Sequence, residues 1–453
     1  MAADLKQSDR IISGPIVRTV FSLAIPVVLG MLMEFALHIT DLFWVGMLGP
    51  AAQDAITTSM VVIWTVFAFI ALISVGITAL VSRYIGARDL DKTRFYINQG
   101  MMLAVFLGLL FSIIGYLVAP YILKFMGPGE KTLVQAIPYL RIFLLSAIFY
   151  TLVETAYAVF RASGDTRTPT YVGVLAIVIN LVLDPVLIFG LGPIPAMGVK
   201  GASIASSIAI FVAVAIILFK IYTGRLGYEV TSIFKHRPNV QGMLKITKIG
   251  LPVSSQQFVF LVVYWFLIRI VHQFGDTAGA AMGIGNRMES LSYLTCHGFA
   301  LAASTMVGQN LGAKNPDRAA KGAWIAAGLA ISLTAVIAVF FVSIPNLIAS
   351  IFTDNAEVTK IAADYLFILG LSQFTMALEI VLEGAFSGAG NTVPPMVVSI
   401  PGALSRIPLA YFLCFDLGWG INGVWWTLTI TTTVKSLILA SWFKLGRWKS
   451  KEV

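Results

Sequence analysis

The sequence predicts an all-α polytopic membrane protein with twelve transmembrane helices in two pseudo-symmetric six-helix lobes. Three observations carry this prediction. The 453 residues are 58% hydrophobic and only 12% charged, about half the charge of a soluble domain, with a mean hydropathy of +0.87. Apolar runs of roughly 20 residues, the length that crosses a bilayer as a helix, recur along the whole chain. The chain also repeats itself at a constant offset of 226 residues.

The repeat needs no gap from Pro26 to about Gly192. Pro26 answers to Pro252, Gly49 to Gly275, Val81 to Val307, and Gly86-Ala87 to Gly312-Ala313. Asp91 answers to Asp317, Tyr139-Leu140 to Tyr365-Leu366, Phe160 to Phe386, Gly164 to Gly390, Thr166 to Thr392 and Pro169 to Pro395. Pro, Gly and Tyr mark kinks, turns and interfaces, so their matching at one offset points to a duplication. Two similar halves in one apolar chain suit two bundles that tilt around a shared cavity, as in many secondary transporters.

The first half holds runs at 17–40, 52–80, 95–122, 134–160, 168–190 and 201–223. The second holds 246–270, 280–306, 322–350, 360–386, 394–415 and 420–443. They are too long and too evenly apolar for barrel strands, which alternate over about ten residues. The long polar stretch Thr223–Met243 sits at the repeat boundary. The expected division is therefore an N-lobe at 1–223 (TM1–TM6), a cytoplasmic interlobe loop at 224–243 and a C-lobe at 244–453 (TM7–TM12). Pro26 and Pro252 fall at matching places in the first and seventh runs. Proline removes a helix hydrogen bond, so Pro26 is a candidate hinge; a static kink is the alternative.

Thirty-one basic against 22 acidic residues give net charge +9. In a soluble protein this would suggest nucleic acid; here it reports topology, and no nucleic-acid partner is expected. Assigned to alternate loops, only Lys124, Lys131, Lys200, Arg269 and Lys360 fall on one side. Both tails, Arg83, Arg88, Lys92, Arg94, Arg161, Arg167, the central loop, Lys314, Arg318 and Lys321 fall on the other. The positive-inside rule then makes both termini cytoplasmic, in a cell (plasma or inner) membrane. The polar start MAADLKQSDRIISG lacks a cleavable signal pattern. Cys296 and Cys414 lie in apolar runs and offer neither a disulfide framework nor a metal motif.

Charges inside the runs are costly and mark candidate sites. The first run carries Glu34, His38 and Asp41 at i, i+4 and i+7, one helix face. The fifth carries Asn180 and Asp184, again four apart. Thr40 and Ser206 add hydroxyls. Arg141 and Glu154 in the fourth run are candidates to pair. The repeat-related residues of the second half are Phe260, Tyr264, Leu267, Arg406 and Ala410. The scaffold is duplicated but this polar constellation is not, which favours an ion-coupling role over a structural one. Burial disfavours a carboxylate's charge, and a second carboxylate beside it disfavours it further. Such a pair takes up a proton. Alternatively, Asp41, Asn180, Asp184 and Ser206 form an all-oxygen set suited to Na+, and the sequence leaves the two open. His38, with Glu34, is a candidate proton relay, since imidazole titrates near neutrality. Either ion would act by favouring one conformation over another.

The second half has its own acidic face, Glu379 and Glu383 four apart, with Arg287 and Glu289 in the eighth run. Arg406 is a candidate to neutralise one of these carboxylates, and substrate contact is the alternative. A cavity with net negative charge plus Met and aromatic side chains suits lipophilic cations. No GxxxxGK[ST] loop occurs, so ATP does not drive the protein directly and no ATPase subunit is expected. HExxH, CxxC and Gly-x-Ser-x-Gly are also absent. Neither an enzyme nor a cofactor beyond the coupling ion is expected.

Several stretches together resemble one family: ITDLFWVGMLG around Asp41, FRASGDTRTP at 160–169, NLVLDPVLIFG at 180–190 and GVKGASIASS at 198–207. They are similar to the MATE (multidrug and toxic compound extrusion) transporters of the wider MOP superfamily, nearest the DinF-type prokaryotic branch. The resemblance implies a V-shaped molecule with a central cavity and an N-lobe cation site. Asp41, Asn180 and Asp184 match that site, and Tyr139 matches a polar aromatic facing it. Ser206 stands where the branch often has Thr, and Tyr157 where Asn is common. Gln256 and Gln257 stand in the seventh run without a carboxylate, which argues against the C-lobe Na+ site of another branch. Tyr157, Gln256, Glu379 and Glu383 are the candidate substrate-cavity residues.

The expected function is multidrug efflux: a secondary antiporter exporting organic cations or amphipathic drugs in exchange for H+ or Na+ by alternating access. One chain supplies both lobes, so a monomer suffices. The runner-up is a flippase for a lipid-linked precursor, which would place several Arg or Lys in the cavity. The few intramembrane basic residues, Arg141, Arg287, Arg406 and Lys435, weigh against it. A channel would need symmetric subunits or a filter motif.

Overall fold

A computed structural model describes residues 5–224, 226–230 and 237–452. Arg225 and Lys235, assigned above to the cytoplasmic side, lie outside the described residues. The helices are α1 (Lys6–Ser13), α2 (Ile16–Gly46), α3 (Pro50–Gly86), α4 (Leu90–Met126), α5 (Glu130–Leu145), α6 (Ala147–Ala162), α7 (Arg167–Phe189), α8 (Val199–Tyr222) and α9 (Val240–His272). They continue with α10 (Asp276–Gly312), α11 (Pro316–Ser343), α12 (Pro345–Ser350), α13 (Ala356–Gly370), α14 (Gln373–Gly388), α15 (Val393–Leu404), α16 (Arg406–Tyr411) and α17 (Asn422–Lys444).

Eight spans are long and apolar enough to cross a membrane, and two bent pairs, α5–α6 and α13–α14, bring them to ten. α10 and α17 have the length but not the composition. α10 carries Asp276, Arg287 and Glu289, and α17 carries Thr427, Thr429, Thr431, Thr432 and Thr433. Thr427 and Thr431 hide their hydroxyls by donating to the carbonyls four residues back, Gly423 and Thr427, each at 2.8 Å. With these two, the twelve predicted helices are present.

The helices are less regular than the runs. α5 and α6 meet at 46°, α13 and α14 at 56°. Ser146 marks the first break and Ser372 lies in the second. The two serines are 226 residues apart, so the bend was duplicated with the scaffold. Each serine returns its hydroxyl to the preceding turn, Ser146 to Ile142 O at 3.1 Å and Ser372 to Leu369 O at 3.1 Å, a bond that competes with the helix ladder. The run read as 322–350 is also divided, because Pro345 cannot continue α11 and instead starts α12.

The chain forms two compact units. The first comprises Met1–Asp9 and Leu29–Gly250, the second Arg10–Val28 and Leu251–Val453. The boundaries of these units fall inside α2 and α9, two residues after Pro26 and two before Pro252.

In the first unit the start of α9 is packed against α3 and α4. A Cβ on Gly250 would run into the Leu72 carbonyl, and one on Gly76 into the Ile246 carbonyl. The stretch before α9 is clamped by Gln99, whose amide donates to Arg237 O at 3.1 Å and accepts from Asn239 N–H at 2.7 Å.

In the second unit the start of α2 packs on α10. Gly298 lies against Val28 and the Ala24 carbonyl, and Phe21 meets Phe299 edge to face at 6.1 Å. Asn310 and Arg318 hold the Ile11 carbonyl at 3.4 Å each. Ile11 and Arg237 are repeat-related, as are the pairs Ala24–Gly298 and Gly250–Leu72, so the two units use one docking scheme twice.

Candidate functional site

The first unit collects the predicted polar residues of α2, α5, α7 and α8. α7 continues helical past Pro185 to Phe189, and Asn180 and Asp184 lie one turn apart near its end, 3% and 1% exposed. The Asn180 amide donates to Asp184 Oδ1 at 3.3 Å and to Ser206 Oγ at 3.2 Å, drawing α8 to α7. Asp41, on the last turns of α2, stands beside Asp184. Beneath them Val45, Ala52, Ile56, Ile188, Val199 and Ala202 form an apolar floor, with Trp44 and Tyr139 packed on it. That floor fixes the ends of α2, α7 and α8 against one another. Ser203 adds a tie from α8 to α5 by donating to Tyr139 O at 2.9 Å.

Three oxygens here are buried without a hydrogen-bond donor: Asp41 Oδ1, Asn180 Oδ1 and Asp184 Oδ2. Buried acceptors are normally satisfied. Three orphans on adjacent side chains, two of them carboxylates in contact, make a site short of positive charge. A proton on the pair, or a hard cation held by Asp41, Asn180 and Asp184, would supply it. The donor set is all oxygen, so it fits Na+ in chemistry. No group of three or more His, Cys, Asp or Glu side chains able to hold a metal occurs among the described residues.

Tyr139 stands within electrostatic range of both aspartates. Glu34 and His38 are exposed side chains one turn apart, with Glu154 within electrostatic range of Glu34. Tyr157 on α6 adjoins Glu154 and Glu34. Tyr150, which the sequence reading passed over, lies near Tyr139, Glu34 and Asp41. Its signal was the spacing of Tyr150, Glu154 and Tyr157, which share one face of α6. Glu154 does not pair with Arg141, as the sequence suggested. It pairs with Arg161 at 3.5 Å, while Arg141 turns to Tyr116, its guanidinium 4.7 Å from that ring. Arg161 lies seven residues from Glu154 on the same helix face; Arg141 lies beyond the bend at Ser146.

In the second unit Glu379 is ion-paired with Lys435 of α17. Lys435 is thus the direct ion-pair partner of Glu379, while Arg406 stands within electrostatic range of Glu379 and Glu289. Glu383 accepts from Ser399 Oγ at 2.6 Å. Glu289 accepts from Tyr365 Oη at 2.8 Å, Tyr365 also faces Asn286 Oδ1 at 2.9 Å, and Asn286 bonds Tyr264. Gln256, on the face of α9 that carries Phe260, has its Nε2 buried without a partner. Pro26 lies within α2, in the stretch belonging to the second unit.

A family profile named MatE matches the chain twice, at residues 26–186 and 252–412, the two stretches offset by the sequence repeat. The chain is 27% identical over 440 residues to the probable multidrug resistance protein NorM of Thermotoga maritima, covering 96% of this chain and 94% of the relative. It is 23% identical to the FAD transporter of Shewanella oneidensis, over 93% of this chain and 92% of the relative. Among solved structures it resembles a MOP superfamily transporter from Pyrococcus furiosus, with TM-score 0.91, 22% identity and 98% of each chain covered.

Proposed function

Because this chain belongs to the MatE family, we propose that it is a multidrug efflux antiporter of the cell membrane. It exports cationic or amphipathic molecules in exchange for H+ or Na+, with both termini in the cytoplasm. The relatives' multidrug resistance names support the export of varied compounds. The observation that carries the coupling site is the trio of orphaned acceptors on Asp41, Asn180 and Asp184.

With no ion bound, two carboxylates in contact repel, and the surrounding helix ends are pushed apart. A proton or Na+ on the pair removes that repulsion and lets α2, α7 and α8 close on their apolar floor. The ion thus favours one arrangement of α2 by a difference in affinity, which is all that coupling requires. Tyr139 and Ser206 orient the pair, Glu34 and His38 pass protons to it, and Pro26 is where α2 yields. Tyr157, Gln256 and Glu383 are the polar contacts offered to substrate. The active species is a monomer.

The lipid-precursor flippase reading is disfavoured by the basic residues. Among the described residues Arg141 is held by Tyr116 and Lys435 by Glu379, so two of the four intramembrane basic residues are already engaged.

The test is uptake of a fluorescent cation by reconstituted vesicles under separately imposed pH and Na+ gradients. One gradient alone should drive transport in the native protein, and neither should drive it in Asp184→Asn. Transport indifferent to both gradients would reject antiport.

A further inference from the structure

We propose that the cavity beside Arg287 is a site for a membrane phospholipid, with the guanidinium holding the lipid's phosphodiester. The cavity has a volume of about 340 Å³. Gly283, Ile284 and Arg287 of α10 line it, with Phe352 and Thr353 of the turn after α12 and Val358 of α13. All of these belong to the second unit. Gly283 and Arg287 lie four apart on one face of α10. An ionisable side chain within a membrane-spanning helix is costly and marks a site unless something answers its charge. Arg287 is exposed and has neither a hydrogen bond nor an ion pair among the described residues. Glu289, two residues on, accepts from Tyr365, and the cation within electrostatic range of it is Arg406. Asp354 and Glu357, next in sequence to Thr353 and Val358, form no ion pair with Arg287 either.

The polar side chains lining the cavity are donors. A guanidinium carries five N–H groups, and here none is engaged by the protein. Thr353 Oγ1 accepts from the Asn355 N–H at 3.2 Å, which leaves its own O–H to donate. The other walls are apolar: Ile284 and Val358 are buried, and Phe352 is 44% exposed. Donors set against an apolar wall suit an oxyanion carried on an apolar molecule, and the planar fork of Arg matches two phosphate oxygens.

The position of the cavity selects a lipid over a soluble anion. Thr353 opens a polar turn that continues through Asp354, Asn355 and Glu357, residues that belong at the membrane surface. Arg287 lines the same cavity from within α10, so its head lies where this turn meets the bilayer, at the level of lipid phosphates. Helix length agrees. α10 has 37 residues, about 55 Å at 1.5 Å per residue, against a hydrocarbon core of about 30 Å. Arg287 stands roughly 16 Å from the helix start, which in a helix centred on the bilayer is only about 4 Å inside the hydrocarbon edge. Ile351, beside Phe352, is 74% exposed, and the two offer an acyl chain an apolar surface. A lipid bound here joins α10 to the turn before α13.

The test titrates the purified full-length protein in detergent with dioctanoyl phosphatidylglycerol and, separately, with dioctanoylglycerol, which lacks the phosphate. Occupancy is read by native mass spectrometry. The native protein should bind the phospholipid at least about tenfold more tightly than the diacylglycerol, the effect of one charge-assisted hydrogen bond. In Arg287→Leu that ratio should fall toward one, and Arg287→Lys should retain part of it. Gly283→Leu gives an independent reading if Arg287→Leu fails to fold. A Cβ at Gly283 meets nothing within 4 Å, so the leucine fills the cavity without a clash, and phospholipid binding should be lost although Arg287 remains. Equal affinity for the two lipids in the native protein, binding of neither included, overturns the proposal, as does an unchanged ratio in folded Arg287→Leu. Undiminished phospholipid binding in Gly283→Leu also overturns it, because Arg287 would then reach the headgroups without a discrete site. Displacement of the lipid by an equal concentration of inorganic phosphate overturns it by making the site one for free anions.

Discussion

Replacing Asp184 by Asn should stabilise the protein while abolishing its coupling. The carboxylate is 1% exposed, its Oδ2 has no donor, and Asp41 Oδ1 beside it has none either. A buried acceptor left unpaired costs about 1–3 kcal/mol. The amide brings two N–H groups to a place where the ionised side chain has none, and one of them can serve Asp41. It also removes the repulsion of two charges in contact, on the order of 4 kcal/mol at about 4 Å and an effective dielectric near 20. Both effects act in the same direction whenever the native pair is empty. The thermal midpoint of purified Asp184→Asn, measured at alkaline pH and low Na+, should therefore lie above that of the native protein. Addition of acid or Na+ should raise the native midpoint and leave the variant's unmoved. In vesicles the variant should show no gradient-driven efflux. A lower midpoint together with undiminished efflux would refute the reasoning, because the carboxylate would then be a structural acceptor and nothing more.

Glu379→Gln leaves Lys435 charged and enclosed, so it should cost about 3–5 kcal/mol; adding Lys435→Met should restore most of the loss, as read by thermal melting of the three variants. Ser206→Ala removes the oxygen that accepts from Asn180 and should weaken ion-dependent stabilisation, whereas Ser206→Thr keeps the hydroxyl and should retain it. Gln99→Ala deletes the acceptor for the Asn239 amide, worth about 0.5–1.5 kcal/mol. Hydrogen exchange at that amide should accelerate by roughly two- to tenfold, and an unchanged rate would mean that the clamp contributes nothing. Pro26→Ala restores a helix hydrogen bond; spin-label distances along α2 that respond to protons or Na+ in the native protein should respond less in this variant.

Much of this architecture was legible in the sequence because it depends on local or periodic signals. Run length identified the spans, and the constant offset identified the duplication. The pair Asp41 and Asp184 was conspicuous because apolar residues surround each of them. The bends at Ser146 and Ser372 were not legible. A serine that returns its hydroxyl to the helix looks like any other small residue, and only the packing around it decides whether the helix turns there. Partner choice among buried charges was equally hidden. Glu379 could have met Arg406 or Lys435, and the facing of α14 on α17 settles it for Lys435. α17 holds its threonines inside a span because Thr427 and Thr431 satisfy themselves on the backbone.

The division of α2 and α9 between the two units bears on any attempt to study the halves apart. A gene cut within residues 224–243 yields one fragment carrying Arg10–Val28, which belongs to the second compact unit, and a second fragment that begins with a helix start belonging to the first. Each product alone would expose a groove built to receive a segment it does not possess. Expressed singly, such fragments should aggregate or be degraded; expressed together, they should reassociate by exchanging those segments, and the reunited pair would be as hard to separate as strands of a splice.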